Sequence, residues 1–187
     1  MLTSFQSAKL TYLFELLDVN NNGFLQLNDF SELTENIRSK LNYDEGGKEH
    51  RAIAQKSTKF FHKLLKDIPN PGDQSINLAG WLQFFNEEVT SFKDEDTVDE
   101  WVDILLSFLF GMFDDNHDGY ISIEEYQDIF GIFGLDEAYS KEAFNKIDAN
   151  CDGKLSRYEL IPAVETFLTS DNPNEAGNWV FGNWVRS

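Results

Sequence analysis

The sequence has little that would tie the chain to a membrane or to an oxidising compartment. Its 187 residues include a single cysteine, Cys151, so no disulfide can form within the chain. Residues 1–10 are polar and lack the apolar run of a secretion signal, and Leu2 stands where N-myristoylation requires glycine. The longest apolar stretch, residues 101–113, is interrupted by Asp103 and Ser107 and is shorter than the roughly 20 residues that span a bilayer. These absences predict a cytoplasmic protein without a constitutive membrane anchor.

Basic residues are also scarce, with 15 lysines and arginines against 33 aspartates and glutamates and a formal net charge of −18. Such a surface disfavours nucleic acid as a partner, because phosphates would be repelled. Much of the negative charge lies in short Asp/Asn/Gly segments, where carboxylates repel one another unless a cation lies between them. The charge pattern therefore indicates metal binding.

Motifs for catalysis are missing as well. The chain has no nucleophile motif and no glycine-rich loop for phosphates, and its three histidines, His50, His62 and His117, are interpreted as surface residues. We predict that the chain is not an enzyme.

What the sequence does contain is a repeat of an amphipathic stretch, an Asp/Asn/Gly loop and a second amphipathic stretch. Residues 10–17 and 101–112 each place apolar side chains at helical spacing ahead of such a loop. The predicted fold class is all-α: four helix-loop-helix units in two pairs, with a short β-bridge between paired loops, packed into one compact globule.

The same repeat suggests the domain organisation. Residues 1–95 are assigned to an N-terminal pair, 96–169 to a C-terminal pair, and 170–187 to an aromatic tail packed on the core. The polar residues 42–47 and the charged residues 93–99 are predicted linkers, and the last helix pair is expected to turn near residues 131–134, with Asp136 as the following N-cap.

Two loops have complete ligand sets for calcium. Calcium takes six to eight oxygens, and a twelve-residue loop supplies them from positions 1, 3, 5, 7 (through the main-chain carbonyl), 9 and 12, with glycine at position 6. The predicted ligands of loop 3 are Asp114, Asn116, Asp118, Tyr120, Ser122 and Glu125. Those of loop 4 are Asp148, Asn150, Asp152, Lys154, Ser156 and Glu159. Ile121 and Leu155 stand at position 8 and are expected to pair across the β-bridge.

Loop 1, residues 18–29, fits the pattern with one departure. Its predicted ligands are Asp18, Asn20, Asn22, Phe24 (through its carbonyl), Gln26 and Asp29. Asp29 is one methylene shorter than the glutamate at position 12 of the other loops, and only Asp18 and Asp29 are charged. Because magnesium prefers fewer ligands in an octahedral arrangement, loop 1 is predicted to accept magnesium as well as calcium.

The loop expected within residues 67–80 has lost its ligands. With Ile76 at position 8, Pro69 stands at position 1, Pro71 at 3, Gln74 at 6 and Gly80 at 12. Starting at Asp67 instead places prolines at positions 3 and 5 and Leu78 at 12. Neither register binds calcium, so loop 2 is interpreted as a structural partner for Leu25 of loop 1, and no role is expected for Asp73.

These residues together resemble the sarcoplasmic calcium-binding proteins, an EF-hand group that also includes calexcitin-like proteins, luciferin-binding proteins and calcium-regulated photoproteins. The resemblance is carried by residues 13–18, by the long insertion before a degenerate second hand with Gly80-Trp81, and by residues 172–182. It implies two EF-hand pairs packed face to face, three calcium sites, and a tail in which Trp179, Phe181 and Trp184 cover the helices. Photoproteins resemble the chain less, because they place a histidine near the C-terminal end.

The resemblance leaves three binding roles. A calmodulin-like sensor exposes a methionine-rich groove, and this chain has only Met1 and Met112. An intracellular Ca²⁺/Mg²⁺ buffer is therefore the first interpretation. A sensor with a dedicated protein partner is the second, and a calcium-dependent carrier of an apolar small molecule is the third.

Overall fold

The computed structural model describes residues 1–69, 74–89 and 95–182, and for residues 88–89 and 95–98 only the backbone. The helices and strands of the first half are α1 (Ser4–Leu17), β1 (Phe24–Leu25), α2 (Leu27–Lys40), α3 (Lys48–Asp67), β2 (Ile76–Asn77) and α4 (Leu78–Phe84), which continues into a π-helical turn (Phe85–Val89). Those of the second half are α5 (Glu95–Phe113), β3 (Tyr120–Ser122), α6 (Ile123–Ile132), α7 (Ser140–Ile147), β4 (Lys154–Ser156) and α8 (Arg157–Thr169). Two 3-10 turns, Glu137–Tyr139 and Ala176–Trp179, complete the chain.

The loops pair as the sequence predicts. Strand β1 is antiparallel to β2 with Leu25 opposite Ile76, and β3 is antiparallel to β4 with Ile121 opposite Leu155. All four of these side chains are buried, because the bridge turns position 8 of each loop into the core. The predicted fold class, four helix-loop-helix units in two bridged pairs, is confirmed.

One predicted linker is wrong in part. Residues 95–99 of the charged run belong to the first turns of α5, while residues 93–94 lie outside the described residues. Acidic residues are favoured in the first turn of a helix by the helix dipole, so a charged run does not distinguish a linker from a helix start. The other boundaries agree: residues 42–47 connect α2 to α3, and Gly134, with φ +65°, follows the end of α6. Asp136 caps the 3-10 turn that leads into α7.

The two halves share one hydrophobic core rich in aromatic rings. Phe60 of α3 stacks on Phe108 of α5 with ring centroids 4.2 Å apart, and Phe84 of α4 lies 5.0 Å from Trp101 of α5. Trp81 is fully buried and donates its indole N–H to the Leu10 carbonyl at 2.9 Å. The aromatic side chains therefore pack as core across both halves.

Polar contacts also join the halves at their surface. The Tyr43 hydroxyl, in the α2–α3 connection, donates a hydrogen bond to the carboxylate of Asp115 in loop 3. The Lys56 ammonium of α3 donates to the carbonyl of Gly111 near the end of α5, at 2.7 Å. Burial raises the pKa of the Tyr43 hydroxyl, and the hydrogen bond to Asp115 raises it further, so the phenol remains a donor at neutral pH.

The segment after α8, residues 170–182, lies across helices of both halves. The hydroxyl of Tyr12 in α1 donates to the Phe181 carbonyl at 2.8 Å, and that of Tyr126 in α6 donates to the Val180 carbonyl at 3.1 Å. Val180 and Phe181 are buried. We call residues 170–182 the C-terminal strap; Trp184 lies outside the described residues.

A buried lysine fastens the strap to α1. The Lys9 ammonium is fully buried and donates to the carbonyls of Thr166 (3.2 Å) and Ser170 (2.7 Å), at the end of α8, and to the side-chain oxygen of Asn178 (2.9 Å). Burial lowers the pKa of Lys9 to about 8, an effect opposed by the nearby negative charges of the strap. A cation at this place also faces the negative end of the α8 dipole, which stabilises it.

Within the described residues, no helix is both long enough and apolar enough to cross a membrane.

Candidate metal centres

Loop 3 is held in shape by its own main-chain N–H groups. Asp114, at position 1, accepts hydrogen bonds on Oδ1 from the Asp118 N–H and on Oδ2 from the Gly119 N–H, each at 3.1 Å. The Asn116 side-chain oxygen accepts from the Asp118 N–H at 2.7 Å, and Asp118 Oδ1 accepts from the Tyr120 N–H at 2.9 Å. These bonds fix the oxygens of positions 1, 3 and 5 on one side of the loop.

Glu125 closes loop 3 and at the same time starts α6. Its Oε1 accepts from the Asp115 N–H at 3.0 Å and its Oε2 from the Ser122 N–H at 2.8 Å. The Ser122 hydroxyl in turn accepts from the Glu125 N–H at 3.2 Å, which completes a capping box. The helix start therefore places the position-12 carboxylate over the loop.

Loop 4 repeats this arrangement. Asp148 accepts from the N–H groups of positions 5 and 6 at 3.2 and 3.0 Å, and the Asn150 side chain accepts from the Asp152 N–H at 2.8 Å. Glu159 accepts from the N–H groups of Ala149 and Ser156 at 3.1 and 2.9 Å. Burial raises the pKa of the Glu159 carboxyl, but its hydrogen bonds outweigh that effect and lower the pKa overall, so the charged form is favoured.

Loop 1 has the same hydrogen-bonded arrangement, and its last residue is more deeply buried than those of loops 3 and 4. Asp18 accepts from the N–H groups of Asn22 and Gly23 at 3.1 and 2.8 Å. Asp29 is fully buried and accepts from the Asn20 side-chain amide at 2.7 Å and from the Gln26 N–H at 2.8 Å. The Asn20 side-chain oxygen accepts from the Asn22 N–H at 3.1 Å, as the position-3 oxygens of the other two loops do from their own position-5 N–H groups. Burial raises the pKa of the Asp29 carboxyl, against the effect of its backbone hydrogen bonds.

The donor chemistry of the three loops fits a hard divalent cation. Within residues 1–69, 74–89 and 95–182, no group of three or more His, Cys, Asp or Glu side chains is close enough to hold a metal by itself. The oxygens aligned in each loop also include those of asparagine side chains and of the position-7 main chain. An all-oxygen set of this kind, with neither sulfur nor imidazole, is the one that calcium and magnesium prefer.

Loop 2 keeps the bridge without the ligands. Because Ile76 lies opposite Leu25, the register with Ile76 at position 8 is confirmed and the register starting at Asp67 is wrong. The Asn77 side chain accepts from the Gly80 N–H at 2.8 Å and caps α4, while a Cβ on Gly80 would lie 2.7 Å from the Pro69 carbonyl. Residues 70–73, which include Pro71 and Asp73, lie outside the described residues.

Two residues that contact loop 3 were not anticipated from the sequence. Tyr43 binds Asp115 from the first half, and the side chain of Lys154, of which only the carbonyl was considered, contacts Asp118. Each residue lies far from its partner along the chain, so no local sequence pattern predicts either contact.

Comparison with known proteins decides the nature of these loops. The sequence profile of the EF hand matches residues 108–130 and 141–161, the segments that contain loops 3 and 4. These two segments of the chain match EF hands.

The chain is also similar to calcium-binding proteins along most of its length. It is 28% identical to calerythrin of Saccharopolyspora erythraea over 167 residues, covering 89% of this chain and 94% of calerythrin. It is 22% identical over 184 residues to sarcoplasmic calcium-binding proteins II, V, VI and VII of Branchiostoma lanceolatum, covering 97% and 98%. The predicted resemblance is therefore confirmed. These relatives are calcium-binding proteins rather than enzymes, in agreement with the prediction that the chain is not an enzyme.

A solved structure shares the fold over nearly the whole chain. The coelenterazine-binding protein from Renilla muelleri, in its calcium-loaded apo form, superposes with a TM-score of 0.78 at 20% identity, covering 97% of this chain and 99% of that one. At this identity the likeness concerns the fold.

Proposed function

We propose that this EF-hand protein binds calcium through loops 1, 3 and 4 and acts as an intracellular Ca²⁺/Mg²⁺ buffer. The proposed ligands are the residues at positions 1, 3, 5, 7, 9 and 12 of each loop, as predicted from the sequence. The observation that carries the proposal is the network of main-chain N–H groups that aligns the carboxylates in all three loops. Such preorganisation reduces the ordering that the ion must impose when it binds.

A closed architecture favours a buffer over a calmodulin-like sensor. A sensor must expose an apolar groove when calcium binds, and flexible methionines commonly line that groove. Here Met112 is buried, and Met1 is the first residue of the chain. The C-terminal strap joins α1, α6 and α8, so opening the helices would break its hydrogen bonds and expose Val180 and Phe181.

Native mass spectrometry tests the number of sites. At saturating calcium, we expect three ions per chain, and two after Glu125→Gln or Glu159→Gln, because each change removes the anionic bidentate ligand. Glutamine still serves as the last residue of a capping box, so the helix start is preserved. A fourth specific ion, or three ions in either variant, would contradict the assignment of loops.

Dye binding separates a buffer from a sensor. Calcium should reduce the binding of an apolar dye such as ANS, because the metal relieves carboxylate repulsion and tightens the fold. A large rise in dye binding on adding calcium, reversed by chelation, would instead support a sensor with a protein partner.

The proposal extends to magnesium at loop 1. Competition calorimetry should find one site weakened most by millimolar magnesium, and Asp29→Glu should restore calcium preference there by lengthening the position-12 side chain. If Asp29→Glu leaves the magnesium-sensitive site unchanged, the length of this side chain does not control selectivity.

Carriage of an apolar small molecule is a second candidate function. A cleft of about 730 Å³, open to solvent, lies between the halves, and its lining is mixed, with Leu16, Phe133 and Leu135 beside the carboxylates of Glu15 and Asp18. That volume suits a small ligand, and the fold is shared with a coelenterazine-binding protein. Titration with coelenterazine, with and without calcium, tests this candidate: saturable binding that is lost in Leu16→Asp would support it, and an absence of binding would leave the buffer role.

A further inference from the structure

In loop 3 the position-5 carboxylate is already bound by a cation of the protein itself. Asp118 Oδ1 accepts the Tyr120 N–H of its own loop, while Oδ2 accepts the ammonium of Lys154 from loop 4 at 3.0 Å. The lysine thus contacts the one oxygen of Asp118 for which no main-chain N–H of the loop is seen as a donor.

The β-bridge brings Lys154 to this place. Lys154 lies opposite Ser122 in the antiparallel pair of β3 and β4. Its side chain passes the face of Tyr120, with the ammonium 5.0 Å from the ring centroid, a distance suited to a cation–π contact. Two groups of loop 3, the ring and the carboxylate, therefore position the same ammonium.

In loops 1 and 4, the position-5 side chain has a different kind of hydrogen-bond partner. In loop 4, Asp152 Oδ2 accepts from the side-chain amide of Asn150 at 3.0 Å. In loop 1, the amide of Asn22 donates to Gln26 of the same loop at 3.1 Å. These partners are neutral and local, so among the three loops, all within the described residues, loop 3 alone has its position-5 residue paired with a full charge from its neighbour.

We propose that the Lys154 ammonium is an internal competitor that lowers the calcium affinity of loop 3. This inference rests on the proposed function, because it requires Asp118 to ligate the ion. Binding of calcium by Asp118 would require the Lys154 ammonium to leave this carboxylate. The position-7 ligand of loop 4 is the main-chain carbonyl of Lys154, so replacing the side chain leaves that ligand in place.

Each loop contains its own reporter for the test. The Gly119 N–H donates to Asp114, and the Gly153 N–H donates to Asp148 at 3.0 Å. Their amide signals in a ¹H–¹⁵N NMR spectrum should respond to metal in loops 3 and 4 separately. A series of chelator-buffered solutions then gives the free calcium concentration at half-conversion for each loop.

The decisive variant is Lys154→Met, which keeps most of the length of the side chain and removes the charge. The free calcium needed to half-convert Gly119 should fall about two- to fivefold, the range expected for one partly exposed ion pair. The difference should shrink in 1 M salt, which screens exposed charges. Lys141→Met is the matched control, because Lys141 is an exposed lysine of α7 whose removal changes the net charge equally.

Different results would contradict the inference and the proposed function on which it rests. If Lys141→Met shifts Gly119 as much as Lys154→Met, or if Lys154→Met raises the calcium required, the inference is overturned. Repeating the pair in a Glu159→Gln background removes the contribution of loop 4, and the shift of Gly119 should persist there. If Gly119 of the unmodified chain does not respond to calcium at any concentration, the proposed function fails at loop 3 itself.

Discussion

The two loop pairs have the same kind of β-bridge but differ in the loops that the bridge joins. In the second half, β3 and β4 join two loops whose position-12 residues are Glu125 and Glu159. In the first half, β1 and β2 join loop 1, which ends in Asp29, to a loop with no ligand set. The position-8 side chains are nevertheless equally buried in both pairs.

From this difference we infer that loop pairing does not require metal ligation. Burial of Leu25 against Ile76 stabilises the first pair by removing apolar surface from water, which requires no ion. The capping of α4 by Asn77 likewise replaces the capping box that a position-12 glutamate provides in the other pair. Loop 2 therefore keeps the β-bridge and the helix cap of a paired loop, and its sequence predicts no metal binding.

The largest effect expected from this comparison is on the part of the free energy of unfolding that depends on calcium. A site at a thousandfold excess of calcium over its Kd adds about 4 kcal/mol to the free energy of unfolding. Glu159→Gln should remove most of one such contribution, whereas Asp29→Asn should remove less, because loop 1 has the weaker ligand set. Urea unfolding with calcium and with chelator measures both; equal losses would mean that the loops do not differ in affinity.

A second test removes the bridge instead of the metal. Ile76→Ala and Leu155→Ala should each lower the free energy of unfolding in chelator by about 2–5 kcal/mol, the usual cost of truncating a buried aliphatic side chain. In calcium, the cost of Leu155→Ala should grow, while that of Ile76→Ala should change little, because loop 2 is predicted to bind no ion.

The number of bound ions is the control for the two bridge variants. Ile76→Ala should still bind two ions at loops 3 and 4, as counted by native mass spectrometry. Loss of either ion would show that the silent loop supports the distant sites, and pairing and ligation would no longer be separable.

The smallest expected effect concerns position 4 of the loops, where the backbone is left-handed. Asn21 and Cys151 occupy this position in loops 1 and 4 with φ of +55° and +58°. Asparagine tolerates this conformation better than cysteine. Cys151→Asn should therefore raise the free energy of unfolding by about 1 kcal/mol or less, and Asn21→Cys should lower it similarly, as measured by thermal unfolding in chelator. A destabilising Cys151→Asn would mean that the thiol contributes a contact that asparagine cannot replace.

The parts of the fold that follow from fixed spacing were predictable from the sequence. Twelve-residue loops place position 8 on the bridge, so the pairing of Ile121 with Leu155 followed from counting. For loop 2, counting left two registers open, and the apolar character of Ile76 indicated the one that pairs with Leu25. The charged run at residues 93–99 was misassigned in part, because composition does not distinguish a linker from an acidic first turn.

The contacts between loops and between halves were not predictable. Lys154 with Asp118, and Tyr43 with Asp115, depend on how elements far apart in sequence are oriented in space. Pairwise patterns within one loop carry no information about that orientation. The ligand positions could thus be proposed from residue type alone, whereas the charges that act on them required the structure.

The contact of Lys9 with the C-terminal strap also has a consequence for the rate of folding. The acceptors on Thr166, Ser170 and Asn178 are separated from Lys9 by 157, 161 and 169 positions. Contacts between residues so distant in sequence close a long loop, and the entropy cost of closing it precedes any gain in stability, so such contacts slow folding. We therefore expect α1 to acquire the partners of its buried ammonium late, only after the rest of the core has brought α8 and the strap close to it.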